Sequence, residues 1–256
     1  MTVNYIDHMG NDYSPIRAAI VSNGANNSEK YIDDELRYKK AATSLIQFLA
    51  RGCTTGEWNS HVSALEGEVD LFVIEDALNY MRHMPPHWTP FGHSAITIHC
   101  KAPIFVARQL GKHQVGFVWN EISRRYVDNT PEFYSPSIWR GRAEDVKQGS
   151  SSEAVTNSEY WDANAYVDEM VGVDINKNSL DTYKHMLEIG VAPEQARMVL
   201  PQSTMTEWYW TGNLYGFSKM FMARTDPHTQ KETRDVAHMI GDVIRPLFPI
   251  SWAALT

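Results

Sequence analysis

Cysteine is scarce in this 256-residue chain, with Cys53 and Cys100 the two present. Two thiols cannot make a disulfide framework, so the expectation is a pair of buried free thiols in a reducing compartment. Long apolar runs are also lacking. No stretch approaches the ~18 consecutive apolar residues of a membrane span, and the opening MTVNYIDHMGNDYSPIR has no signal-peptide core. The expected setting is the cytoplasm, that of a virus-infected host cell included, with no membrane partner. Positive charge is in deficit: 23 Lys and Arg stand against 31 Asp and Glu, for a net charge of −8. Duplex-binding proteins need a basic face to neutralise phosphates, so nucleic acid is not an expected partner. Familiar catalytic signatures are missing as well. With no G-x-G-x-x-G and no Walker A loop, a dinucleotide would not bind by the Rossmann route. No G-x-S-x-G elbow occurs, and neither cysteine has a nucleophile context. Metal ligands are poorly spaced. His83 and His87 are separated by Pro85-Pro86, which prevents a shared helical face. His93 and His99 would lie ~20 Å apart along a strand. No metal is expected.

What is present is the balance of a globular chain, 43% hydrophobic and 21% charged, long enough to bury a substantial core. Asn23–Ser28 reads as a loop by composition. Asp33–Arg51 and Val69–Met84 carry apolar residues at helical spacing, and Pro85-Pro86 stops the second. His93–Lys101 alternates like a strand, and Pro103 can open a following helix as its first residue. Gly141–Ser158 is polar and serine-rich, a surface connection. Leu180–Gly190, Pro193–Val199, Leu214–Arg224 and Glu232–Leu247 read as helices, and Thr204–Trp210 is aromatic and β-prone. The expected class is α+β: an antiparallel sheet flanked by helices.

One stretch, RQLGKHQVGFVWNEISRRY over residues 108–126, is unusually dense in polar chemistry. Arg108, Lys112, Arg124 and Arg125 suit phosphate, because a guanidinium fork matches phosphate oxygens. Gln109 and Asn120 pair a donor with an acceptor, which can read a base edge. Glu121 could instead pair with an arginine in a solvated loop. Downstream, Arg197 and Arg224 lie among apolar residues, with His228 and Gln230 close behind. Burial of either arginine without a partner would be costly, so a ligand or an internal ion pair is expected.

Several segments, taken in order, resemble the flavin-dependent thymidylate synthases, the class unrelated to the cysteine-dependent enzyme. They are AAIVS (residues 18–22), HWTPFGH (87–93), KAPIFVARQ (101–109), NEISRRY (120–126), ARMVLP (196–201), TGN (211–213) and ARTDPHTQ (223–230). The resemblance implies a mixed α/β core in a single domain, a homotetramer with active sites at subunit interfaces, and bound FAD. It implies methylation of dUMP at C5, with methylenetetrahydrofolate supplying carbon and NADPH reducing the flavin. It assigns Gln109, Glu121, Ser123, Arg124, Arg125, Arg197 and Arg224 to dUMP. Among these, Arg125 and Arg197 would grip phosphate. Arg224 would stabilise charge on the uracil, and Ser123 would hydrogen-bond the nucleotide. It assigns Ser22, His87, Thr89, Lys112, His113, Gln114, Asn213, Lys219, His228 and Gln230 to the flavin, with His87, Ser123 and Arg224 nearest the chemistry.

The departures from the family pattern fall on the flavin side. Where the family has Arg-His-Arg, seven residues and Ser, this chain has Lys112-His113-Gln114, eight residues and Ser123. The extra residue falls in VGFVW. Gly92 stands for a family glutamate, Tyr215 for an arginine, and residues about 53–86 read as an insertion. Two alternatives therefore accompany the thymidylate reading. One is a changed outcome on the same site, such as a 5-hydroxymethyl pyrimidine nucleotide. The other is a non-catalytic nucleotide-binding homologue.

Overall fold

The computed structural model describes residues 1–22, 35–52, 57, 59, 60, 63, 86–127, 129–143, 150–156 and 162–256. The expected loop Asn23–Ser28, the expected helix Val69–Met84, Cys53, His83 and nearly all of the 53–86 insertion lie outside the described residues. The chain divides into two compact units, each drawn from separated stretches. The first comprises Met1–Ile6, Thr97–Thr211 and Met220–Gly241; the second comprises Asp7–Ile96, Gly212–Lys219 and Asp242–Thr256.

Four strands form one sheet in the order β1-β2-β4-β3: β1 (Thr2–Met9), β2 (Ala95–Pro103), β3 (Phe117–Glu121) and β4 (Met205–Gly212). On β2, Ile96, Ile98, Cys100 and Ala102 are buried in strict alternation; on β4, Thr206, Trp208 and Trp210 are. That period of two sends one face of each strand into the core. Thr97 meets Thr211 through their hydroxyls at 2.9 Å, and the His99 ring lies 5.4 Å from Tyr209. Rising numbers on β2 thus meet falling numbers on β4, so the pair is antiparallel. Phe117 against Trp210 and Trp119 against Trp208 set the same antiparallel register for β3 and β4. Burial pushes the Cys100 thiol pKa up to about 12, so it is an inert core residue.

Helix α3 (Ile104–Leu110) follows β2 directly. Pro103 ends β2 and caps the helix from extended backbone (φ −68°, ψ 154°). It therefore precedes α3 instead of forming its first residue. The first helical amides would be unpartnered, and here Ile104 N–H donates to the Thr204 carbonyl at 2.9 Å. Helix α4 (Ala163–Glu169) is capped by Asp162, whose carboxylate accepts from Ala165 N–H, and it continues as a π-helix over Met170–Lys177 into α5 (Asn178–Glu188). The helix expected over Pro193–Val199 is two short pieces, α6 (Pro193–Ala196) and a 3-10 turn Arg197–Val199. Helices α7 (Leu214–Arg224) and α8 (Lys231–Ile244) approach closely where α8 carries Gly241. A Cβ there would lie 2.6 Å from the Phe221 ring, so this contact requires glycine.

The second unit packs α1 (Tyr13–Ser22), α2 (Glu35–Arg51), a 3-10 turn Thr89–Gly92, the first half of α7 and α9 (Pro249–Leu255). Its core includes Ile16, Ile46, Leu49, Phe91, Leu214, Phe217, Phe248 and Trp252. Asp12, nearly buried, accepts from Ile250 N–H at 2.9 Å and Ser251 N–H at 2.7 Å. It supplies from a distance the acceptor that an N-cap side chain supplies locally. The α+β class, with a mixed set of helices around an antiparallel sheet, is as the sequence implies.

Candidate active site

The polar stretch 108–126 folds back on itself. Helix α3, the Gly111–Gln114 turn and β3 enclose a cavity of about 580 Å³ in the first unit. Arg108, Lys112, His113, Gln114 and Glu121 all line it, with Phe117 and Trp119 as aromatic wall. The volume suits a small-molecule ligand, and cations beside an aromatic wall suit an anionic, planar one.

Glu121 ends β3, and among the described residues it does not pair with an arginine. Thr206 Oγ1–H donates to its Oε1 at 2.6 Å, and Trp119 Nε1–H donates to its Oε2 at 3.2 Å. Gln109 is fixed at both ends of its amide: Nε2 donates to Gln230 Oε1 at 2.6 Å, and Oε1 accepts from Thr233 Oγ1 at 3.0 Å. Arg224, at the end of α7, is half-buried. Its Nε donates to His113 Nε2 and its Nη2 to the Gln109 carbonyl, both at 2.9 Å. An imidazole nitrogen that accepts from a guanidinium carries no proton, so His113 is neutral with its proton on Nδ1. Burial, and then the Arg224 charge, lower its pKa below the usual histidine value, in agreement with that geometry. Burial also lowers the pKa of Arg224. Of the ligand or internal ion pair expected at Arg224, the ion pair is absent among the described residues, and neutral acceptors hold the guanidinium.

Other predicted residues sit elsewhere. Ser123 Oγ accepts from Arg125 Nε at 3.3 Å, and Arg125 also lies over the Tyr126 ring. Arg124 donates to the Asn129 carbonyl at 2.9 Å. Arg197 is exposed, with its Nε on the Glu194 carbonyl at 3.2 Å. The short 3-10 turn carries it outward, so no cost of unpartnered burial arises there. Arg125, Arg197 and Arg224 are not in the lining of the cavity. His228 is exposed against Asp226 at 3.0 Å. In the second unit, His87 lies beside Phe48, ring centroids 5.2 Å apart, and Thr89 opens a 3-10 turn. Ser22 is the last residue of α1. Asn213 Oδ1 accepts from Gly216 N–H at 2.8 Å, and Lys219 Nζ lies 5.1 Å from the Tyr215 ring. Tyr215 itself stacks on Trp88.

Sequence reasoning missed Thr206, Thr233 and Trp119, which orient Glu121 and Gln109. It also missed Arg140 Nη2 on Glu232 Oε1 at 2.8 Å, a part-buried pair that lines a second cavity of about 440 Å³. The Trp-x-Glu spacing at 119–121 was the available signal for one of them. Among the described residues, no three of His, Cys, Asp and Glu converge as metal ligands, and no helix is long and apolar enough to cross a membrane.

Comparison with known proteins places this geometry. The family model described as "Thymidylate synthase complementing protein" (Thy1) matches residues 6–250. The flavin-dependent thymidylate synthase of Thermus thermophilus is 38% identical over 194 residues, 73% of this chain and 66% of that protein. The chain thus spans just under two thirds of the Thermus protein. The Thermosipho africanus enzyme of the same name is 32% identical over 249 residues, 97% of this chain and 88% of that protein. Among solved structures, a UMP/dUMP methylase, PolB from Streptomyces cacaoi bound with 5-Br dUMP, shares the fold. Its TM-score is 0.72 at 23% identity, over 99% of this chain and 93% of that one. On the family match and these relatives, the chain belongs to the flavin-dependent thymidylate synthase family.

Proposed function

We propose that this protein is an FAD-dependent enzyme that methylates dUMP at C5 to give dTMP, taking the carbon from methylenetetrahydrofolate and reducing equivalents from NADPH. The observation that carries the reading is the convergence of Arg108, Lys112, His113, Gln114 and Glu121 on one aromatic-walled cavity, with Arg224 tied to His113. Family relatives named for that activity support it.

In this reading Gln109, Glu121, Ser123 and Arg124 contact the nucleotide, and Arg125 and Arg197 take its phosphate. Both of the latter are exposed, and among the described residues neither meets a carboxylate, so each fork remains available to an anion. Arg224 stands beside the uracil and stabilises charge that grows on the ring oxygens. Its guanidinium is held by neutral acceptors, which leave its charge uncancelled. Ser22, His87, Thr89, Lys112, His113, Gln114, Asn213, Lys219, His228 and Gln230 hold the flavin. Phe117 and Trp119 offer a planar wall, and Lys112 offers a cation, which fits an isoalloxazine carrying a diphosphate. When bound, FAD supplies the hydride chemistry. A homotetramer, with Arg197 reaching a neighbouring subunit's site, completes the proposal.

The test is direct. Purified protein is expected to be yellow, to bleach with NADPH in the absence of oxygen, and to convert dUMP and methylenetetrahydrofolate to a product with the mass of dTMP. A product with the mass of 5-hydroxymethyl-dUMP would mark a changed outcome on the same site. Tight dUMP binding with no product would mark a non-catalytic homologue.

A further inference from the structure

We infer that Thr206 and Trp119 are positioning residues that fix the Glu121 carboxylate to receive one N–H or O–H donor of the ligand; this rests on the reading of Glu121 as a dUMP contact. Thr206 is 7% exposed and its hydroxyl reaches Glu121 Oε1 at 2.6 Å. Trp119 reaches Oε2 at 3.2 Å, and its indole is itself clamped. It stacks on Trp208 at 4.3 Å and meets Trp210 edge-on at 5.4 Å. Both carboxylate oxygens therefore have one donor each, from two different strands, and neither donor is free to turn away.

An ionised carboxylate accepts at ~four lone-pair sites and donates at none. Two sites are taken here. What remains can only accept, so a ligand group that meets Glu121 must donate; a carbonyl or a ring-nitrogen lone pair there would be repelled. On dUMP the donors are the sugar 3′-hydroxyl and the imide N3–H. Trp119 lies in VGFVW, where this chain has one residue more than the family spacing. The indole half of the clamp thus sits in the stretch where this chain departs from its family, whereas Thr206 lies outside it.

The experiment measures dUMP affinity of the flavin-loaded protein by calorimetry. Thr206→Val is expected to weaken dUMP about tenfold, because a hydrogen bond to a charged group is lost, and Thr206→Ser to stay within about twofold of wild type. Trp119→Phe keeps the aromatic stack, loses the N–H, and is expected to weaken dUMP several-fold; it provides a second measurement should Thr206→Val fold poorly. In a Glu121→Gln background, Thr206→Val should add no further loss. Equal affinity for Thr206→Val and wild type, equal losses for the Val and Ser variants, or full additivity with Glu121→Gln would each overturn the inference. Two analogues identify the donor: N3-methyl-dUMP lacks the N3–H and the 3′-deoxy analogue lacks the hydroxyl. The Thr206→Val cost should vanish for one of them, and a cost that persists for both overturns the inference. Wild-type protein that takes no dUMP refutes the site reading instead.

Discussion

The candidate residues of the two units are held in different ways. In the first unit a subset hold one another: Arg224 joins His113 to Gln109, and Gln109 joins Gln230 to Thr233, while Arg124, Arg197 and His228 are tied to near neighbours in sequence. In the second unit each candidate is tied to its own surroundings. Asn213 serves the start of α7, Lys219 lies over Tyr215, and His87 lies against Phe48. A mutual network pre-organises a site before ligand arrives, whereas locally tied side chains depend on the ligand to be drawn together.

The strongest way to break this comparison is to remove the node of the network. Arg224→Ala is expected to cost about 2–4 kcal/mol of transition-state stabilisation, on the order of 30- to 1,000-fold in kcat/KM for dTMP formation. Arg224→Lys should recover only part of it, since an ammonium cannot reach both His113 and the Gln109 carbonyl with one rigid fork. Unchanged turnover in Arg224→Ala would remove its catalytic role. On the other side, Asp12→Ala strips two buried amides of α9 of their acceptor. A loss of about 1–3 kcal/mol in urea unfolding is expected. If the network is self-sufficient, dUMP affinity should hold under conditions where the protein remains folded.

Elements with a strong period were legible in the sequence. Helices α2, α3, α5, α7 and α8 and strands β2 and β4 carry one face of apolar residues, and their ends differ from expectation by a few residues. Strand β1 went unread because its side chains are mostly exposed and show no alternation. Strand β3 is five residues long, and its Phe-Val-Trp-Asn-Glu reads equally as a functional loop. Helix α9 is seven residues and depends on Asp12, 238 residues away from Ile250. A π-helix has no apolar period distinct from the α pattern that flanks it. The site divides along the same line. Residues 108–121 were legible because one short segment supplies most of the cavity. Thr206 and Thr233 were not, because their partners lie 85 and 124 residues away and a buried threonine in a strand or helix carries no sign of what it donates to.

A smaller effect tests whether the second unit's residues serve flavin at all. Asn213→Ala removes the acceptor for Gly216 N–H, and a loss of about 1 kcal/mol of stability is expected from the helix start alone. Asn213→Asp keeps that acceptor. If Asn213 also contacts flavin, FAD affinity should fall in both variants, while thermal stability falls chiefly in the alanine one. Affinity that follows stability would limit Asn213 to a structural role.

The smallest effect concerns pH. His113 is neutral in the fold because burial and the Arg224 charge lower its pKa beneath the ordinary histidine value. In the unfolded chain that histidine takes up a proton at the ordinary value, ~6.5. Between the two values the unfolded state binds more protons, so stability is fully present above the ordinary value and falls as pH drops through that window. Protonation of Nε2 also ends its acceptance from Arg224, so the guanidinium loses one of its two restraints in the same range. The slope should be shallow, because the imidazole is half-exposed and solvent screens the Arg224 charge. His113→Gln carries an acceptor that does not titrate. Urea midpoints for wild type should decline towards acid more steeply than those of the variant, and parallel curves would place the titrating group elsewhere.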